Sequence, residues 1–365
     1  MKNFYFTKSH DFSSYPSTDV AQWSAIYKLV KVPIGLVDRT NHVVMPYRYK
    51  VYEPFKIPTD LTGFDLSYED CCLKRAVELV ELSKKLNIPI TLFYSGGIDS
   101  TAVLISFMKV LDAHELKNRV RVAMSTDSIN ENINFFYDHI RTKFTIISSE
   151  RYSSMMDGTS LIVGGECNDQ LFGSDILAKV YKYADSDKLH DKYSREFIVD
   201  WLSKSMEIGH ANKWFDVLDD QIRHAAPCEV HSNFHFFWWY NFCFKWQFVY
   251  FRMLAFMDPN ARQLVNQTFM DTYYHHFFAS TDFQKWSMLN HDKKLLKDWK
   301  SYKLESKKFI FDYNKDEIYY NEKIKMGSLF NLMIKKIVAK AITDDYTFLD
   351  KIDLNEFYVP NNSFV

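Results

Sequence analysis

The chain has 365 residues, with 45 basic and 46 acidic side chains and a formal charge of −1, so no overall field steers it to nucleic acid or to an anionic membrane. Aromatic residues make up 17% of it, while Gly (10) and Pro (9) are sparse, which favours a helix-rich fold and excludes long flexible linkers. The length points to one large domain with an appended region, or to two domains. The cysteines Cys71, Cys72, Cys167, Cys228 and Cys243 are odd in number and lack CxxC spacing, as expected in a reducing compartment. The N-terminus has no apolar segment of signal-peptide length, so a cytoplasmic location is expected.

In chain order, residues 1–66 read as a small β-containing segment, with extended candidates IGLVDR at 34–39 and HVVMPYRYKVYE at 42–53 among prolines at 16, 33, 46, 54 and 58. Residues 67–185 read as an α/β core. YEDCCLKRAVELVELSKKLN is amphipathic at helical spacing, and IPITLFYS is a buried-strand run. The alternation continues with helix DSTAVLISFMKVLDA, strand RVRVAMST (119–126), helix ENINFFYDHIRTKF, strands TIISS (145–149) and SLIVGG (160–165), and helix DQLFGSDILAKVYKYA. This rhythm predicts a parallel twisted sheet with helices on both faces, whose ligands bind where strands end and helices begin. Residues 186–365 read as mainly helical, with no strong β alternation after 186. FHFFWWYNFCFKWQFVYF (234–251) reaches membrane-span length only by including Asn241, Lys245 and Gln247, so it reads as a buried helix and no membrane association is expected.

The stretch Ser95-Gly96-Gly97-Ile98-Asp99-Ser100 falls at a strand-to-helix junction. Glycines let backbone approach a ligand closely, and free N–H groups at a helix start bind anions, so the turn suits phosphate. Asp99 has the wrong charge for direct phosphate contact. It reads either as a helix N-cap or as a ligand of Mg²⁺. No Gly-Lys-Ser/Thr follows and GxGxxG is absent, so neither common nucleotide fingerprint explains the hexapeptide.

The hexapeptide resembles the SGGxDS signature of the PP-loop ATP pyrophosphatases, which cleave ATP to AMP and pyrophosphate. GGECNDQLFG at 164–173 is similar to the GEGADELFGG segment of the asparagine synthetase C-terminal domain and of its relatives, the β-lactam synthetases and lasso-peptide cyclases. Gly165, Glu166, Asp169, Leu171, Phe172 and Gly173 match; Cys167, Asn168 and Gln170 depart. The resemblance covers about residues 67–310 and implies a PP-loop, adenine nucleotide alpha hydrolase-like fold using ATP and Mg²⁺. Asp99 and Asp169, 70 residues apart, would be the magnesium ligands, both following strands of one sheet. Ser95, Gly96, Gly97 and Ser100 would surround the pyrophosphate, and Gly164 and Gly165 the activated substrate. Glu166 matches a glutamate credited with general-base or orienting work. Ser125 and Thr126 are candidate adenosine contacts.

Leaving pyrophosphate needs positive charge. The family supplies a lysine from its helical C-terminal region, for which Lys285, Lys293, Lys294, Lys303, Lys307 and Lys308 are candidates. Lys308, in SKKFIFD, fits the family pattern best and Lys303 second. The chain begins Met1-Lys2, and the segment before the synthetase-like part is too short for the glutaminase domain of glutamine-dependent asparagine synthetases. The expected nitrogen donor is therefore free ammonia, an amine on the substrate, or ammonia from an external supplying protein. The expected activity is adenylation of a small carboxylate followed by amide formation. A PP-loop enzyme that modifies a base in tRNA or DNA, and an inactive nucleotide-binding regulatory protein, are the alternatives; nucleic acid lacks support from the charge. His231 and His235 stand at helical i, i+4 spacing without a third ligand, and His275 and His276 are adjacent and point apart. The first pair reads as packing residues in an aromatic helix, and the second does not read as a shared ligand set. Cys167 lies inside the proposed site at a helix start, where a thiol pKa can fall.

Overall fold

The computed structural model describes residues 2–7, 37–43, 45, 47–183, 186–204, 206–296, 298–324, 339–357 and 359. They include eight strands: β1 (Phe4–Thr7), β2 (Ile90–Phe93), β3 (Val120–Met124), β4 (Thr145–Ser148), β5 (Leu161–Gly164), β6 (Tyr274–His276), β7 (Ala341–Thr343) and β8 (Phe348–Leu349). The chain divides into two compact units, each assembled from separate stretches. One comprises Gly63–Asn168 and Phe256–Ile337; the other comprises Met1–Thr62, Asp169–Ala255 and Val338–Val365. These units interleave, unlike the linear division at 66 and 185, because the chain returns to the five-stranded sheet after residue 256.

The first unit is α/β. Its five strands run in the order β4-β3-β2-β5-β6, every neighbouring pair parallel. Ile90, Leu92, Val120, Val122, Leu161, Ile162 and Val163 are buried, the near-continuous apolar reading that parallel strands covered by helices require. β4 lies at one edge and exposes Thr145, Ile146 and Ser148. β6, at the other, is a strand within the stretch after 186 that reads as mainly helical and shows no strong β alternation. Its three residues, Tyr-His-His, are too short and too polar to show an alternation, and pairing with β5 creates the strand.

Local chemistry sets the helix boundaries in this unit. Ser67 opens Tyr68–Leu86 with a capping box shared with Asp70, and Asn87 closes it in the left-handed conformation at φ 52°. Cys71, Cys72, Ala76, Leu79 and Val80 form its buried stripe. The helix Ile98–Val110 is buried at Ile98 and from Ser100 to Phe107, as expected of a helix lying between the sheet and other helices.

In the other unit, β1 pairs antiparallel with β7, and β7 with β8, so chain ends share a three-stranded sheet. Of the candidate strand at 42–53, the described residues form no strand; Tyr47 and Tyr49 stand in isolated bridges, that of Tyr49 with Phe4. Residues 34–36 of the other candidate, and Pro16, Pro33 and Pro46, lie outside the described residues. The aromatic run is two helices, Asn233–Phe244 and Trp246–Phe251, buried at every position. Arg39 is buried among them, its guanidinium 4.6 and 4.5 Å from the Phe242 and Trp246 ring centroids, and it donates to the carbonyls of Phe242 and Phe55. Among the described residues, no helix is long and apolar enough to cross a membrane.

Candidate active site

The strand order of the parallel sheet reverses beside β2. From β2 the chain adds β3 and then β4 on one side, and later β5 and β6 on the other. In an open parallel sheet such a reversal leaves a crevice outside the carboxyl ends, because the connections on its two sides lead away from each other. Phe93 is in register with Ala123 and Leu92 with Val163, so the segments beginning at Ser95, Ser125 and Gly165 leave the sheet at one level. SGGIDS and GGECN therefore leave the two strands that flank the reversal.

The turn after β2 is internally braced. The Ser95 N–H donates to Ser100 Oγ at 3.2 Å, the two hydroxyl oxygens are 3.1 Å apart, the Gly97 N–H donates to Ser95 Oγ at 3.4 Å, and Ser100 Oγ donates to the Gly97 carbonyl at 3.2 Å. Gly96 is left-handed at φ +77°, and a Cβ there would collide with the Ser128 carbonyl and with Glu131. Gly97 is the N-cap of Ile98–Val110 and offers no side chain to the first N–H groups. Asp99 is thus inside the first turn, which removes its reading as the N-cap.

The turn after β5 lies against this helix start: a Cβ on Gly165 would be 3.4 Å from the Ser100 backbone nitrogen. Gly164 is closed in by β6, where a Cβ would lie 2.5 Å from His276 Nδ1. Glu166 follows, half-buried. Cys167 is buried and left-handed at φ 74°, and Asn168 begins the helix Asn168–Phe172.

The Asp99 carboxylate is gripped from two directions. Lys303 Nζ donates to its oxygens at 2.5 and 2.6 Å, and Asn168 Nδ2 donates to Oδ1 at 2.7 Å. The Lys303 side chain is 1% exposed and that of Asp99 26%. Lys303 is left-handed at φ 62°, as the N-cap of Leu304–Asn314, and its N–H donates to the Lys294 carbonyl at 3.0 Å. Behind it, Asn168, Tyr68 and Ser306 form a closed ring. Asn168 Nδ2 donates to Ser306 Oγ at 3.1 Å, Ser306 Oγ to the Tyr68 hydroxyl at 2.7 Å, and that hydroxyl to Asn168 Oδ1 at 3.3 Å. Burial pushes the Tyr68 phenol well above its usual range and keeps it a neutral donor.

Lys308, first choice from the pattern, is exposed on Leu304–Asn314; the lysine on Asp99 is Lys303. Lys307 is buried and donates to the carbonyls of Lys300 and Tyr320, with its pKa lowered by burial. Lys293 is bonded to Asn290 and Lys294 to His291, while Lys285 lies half-buried on Thr281–Leu289. Ser125 caps the helix Thr126–Glu131 and Thr126 is exposed. Asp169 opens the next segment of the other unit, where its carbonyl accepts from the Gly173 N–H at 2.9 Å. His231 and His235 pack edge to face in that unit, ring centroids 4.4 Å apart.

Sequence reasoning passed over Asn168, Tyr68 and Ser306. Only the departure at Asn168, a polar amide inside a motif, pointed toward them. No family profile, curated protein or solved structure matches this chain.

Proposed function

We propose that the protein is an ATP- and magnesium-dependent ligase of the PP-loop type, similar to the asparagine synthetase C-terminal domain. It adenylates a small carboxylate, releases pyrophosphate and passes the acyl group to ammonia or an amine. The observation that carries this reading is the pairing of the SGGIDS and GGECN turns across the strand-order reversal, with Gly165 backbone against the start of Ile98–Val110. Cys167 adds support: it is left-handed, the conformation that glycine adopts most freely, at the place where GEGAD has glycine.

The residues fit phosphate. The cradle at Gly96 is one a Cβ would fill, Gly97 leaves the first N–H groups of a 13-residue helix uncapped by a side chain, and Ser95 and Ser100 bring hydroxyls. Magnesium, when bound, would screen the phosphates and polarise the bond that breaks. Asp99 is the residue of this unit that would hold it, with Lys303 giving up the carboxylate. In the first step a substrate carboxylate oxygen bonds to the α-phosphorus of ATP as the α–β bridging bond breaks and pyrophosphate leaves. Helix-start N–H groups, Ser95, Ser100 and the Lys303 ammonium hold the leaving charge. In the second, the nitrogen of ammonia or an amine attacks the acyl carbon, AMP departs, and the nitrogen gives a proton to Glu166.

Pyrophosphate release from ATP, measured with a panel of carboxylic and amino acids plus ammonia and, in parallel, with tRNA or DNA, tests this reading. Release with a small acid is expected. Release only with nucleic acid, or none together with no ATP binding, would overturn it.

A further inference from the structure

Outside this site, one group of three metal-capable side chains gathers among the described residues: His42, Asp220 and His224, whose ligand atoms all lie within 4.8 Å of one another. All three belong to the unit that holds the aromatic helices. We propose that they form a binding site for a divalent transition metal of the zinc type.

The donor set is two imidazoles and one carboxylate, the borderline combination that selects zinc, cobalt or nickel over magnesium and calcium and leaves a fourth position for water. His42 Nε2 is 2.7 Å from Asp220 Oδ2, and His224 Nδ1 is 3.1 Å from Asp220 Oδ1. Tetrahedral ligands about 2 Å from a metal stand a little over 3 Å apart. The carboxylate distances are thus near those values.

The scaffold fixes two of the three ligands. Asp220 and His224 are one turn apart on the helix Ile208–Ala225, the spacing that puts both on one face. His42 comes from a loop tied to the same helix. Its N–H donates to Asp38 Oδ2 at 3.0 Å, Thr40 and Val43 bond to the same carboxylate, and Gln221 Nε2 donates to Asp38 Oδ1 at 2.7 Å. The His42 and His224 rings are near parallel, centroids 5.7 Å apart, so a metal in the plane of both requires one ring to turn. His224, 59% exposed, has the room to do so. Arg223 brings an opposing charge beside the carboxylate; its guanidinium is 3.0 Å from Asp219 and 4.0 Å from Asp220, so Asp219 draws it aside.

Titration of Zn²⁺ into the chelator-stripped full chain tests the proposal, with X-ray absorption of the zinc complex reading imidazole coordination directly. One equivalent bound through two imidazoles is expected, with affinity falling at least about tenfold in His42→Gln and in His224→Gln. No binding by the wild-type chain, binding without imidazole coordination, or equal binding by folded variants would overturn it.

Discussion

The ammonium of Lys303 lies 2.5 and 2.6 Å from the two carboxylate oxygens of Asp99, 204 residues earlier in the chain. Because the lysine is 1% exposed and the aspartate 26%, the two charges do not lose the same amount when separated. Asp99→Asn takes a carboxylate away from a buried ammonium and is expected to lower stability by about 3 kcal/mol. Lys303→Met leaves a carboxylate that still meets water and Asn168, and is expected to cost no more than about 1 kcal/mol. Thermal melts of both variants check the asymmetry. Pyrophosphate release is expected to vanish in Asp99→Asn and to fall by about 10² or more in Lys303→Met.

Gly96→Ala places a side chain at φ +77° and drives it into the Ser128 carbonyl and Glu131. The backbone conformation alone costs roughly 1–2 kcal/mol, and the collision deforms the cradle. Loss of ATP binding in a chain that still folds is expected, read by nucleotide titration beside a melt. Wild-type ATP affinity would show that this turn does not contact phosphate.

Gly164 faces a side chain instead of backbone. Gly164→Ala puts a Cβ 2.5 Å from His276 Nδ1, a clash of the kind that costs about 1–3 kcal/mol. The double variant Gly164→Ala, His276→Ala is expected to be more stable than the sum of the two single changes predicts. A double-mutant cycle by denaturant unfolding measures this coupling.

The Asn168 ring supports Asp99 from behind. Asn168→Ala opens it, leaving Ser306 and Tyr68 hydroxyls to share what is left, and should cost about 1–3 kcal/mol. Turnover is expected to fall because Asp99 loses its 2.7 Å donor. Adenylation kinetics separate this from simple destabilisation: kcat should fall at a temperature where the melt shows the variant folded.

His275 gives a pH signature. Burial, with Arg75 second, pushes its pKa down to about 3. Between that value and the ordinary value of about 6.5, the unfolded chain takes up a proton that the folded chain refuses, so stability falls as pH falls through this window. The contribution approaches about 1.4 kcal/mol per pH unit. His275→Gln should flatten the decline in denaturant midpoint between pH 6 and 4, an interval inside that window.

Much of the sheet is legible from sequence because β2, β3 and β5 are apolar runs ended by serine or glycine, and this pattern is local. β6 is not. Its residues take a strand conformation only because β5 lies beside them, a fact that no window around Tyr274 contains. The same distinction separates the site residues. Ser95, Gly96 and Gly97 announce themselves by composition, whereas choosing Lys303 over Lys308 depends on which lysine the start of a helix brings to Asp99. Asn168, read as a departure from a motif, is a link in the polar ring because Tyr68 and Ser306 come to it from 100 residues before and 138 after.

The interleaving of the two units also sets an order of assembly during synthesis. The cradle and Asp99 are synthesised within the first hundred residues, but β6 and Lys303 follow only after the whole stretch Asp169–Ala255, which belongs to the other unit. The nascent chain therefore carries Asp99 without its lysine for 204 residues of translation. A product truncated before Tyr274 would keep the cradle sequence but lack both the sheet's last strand and its buried cation.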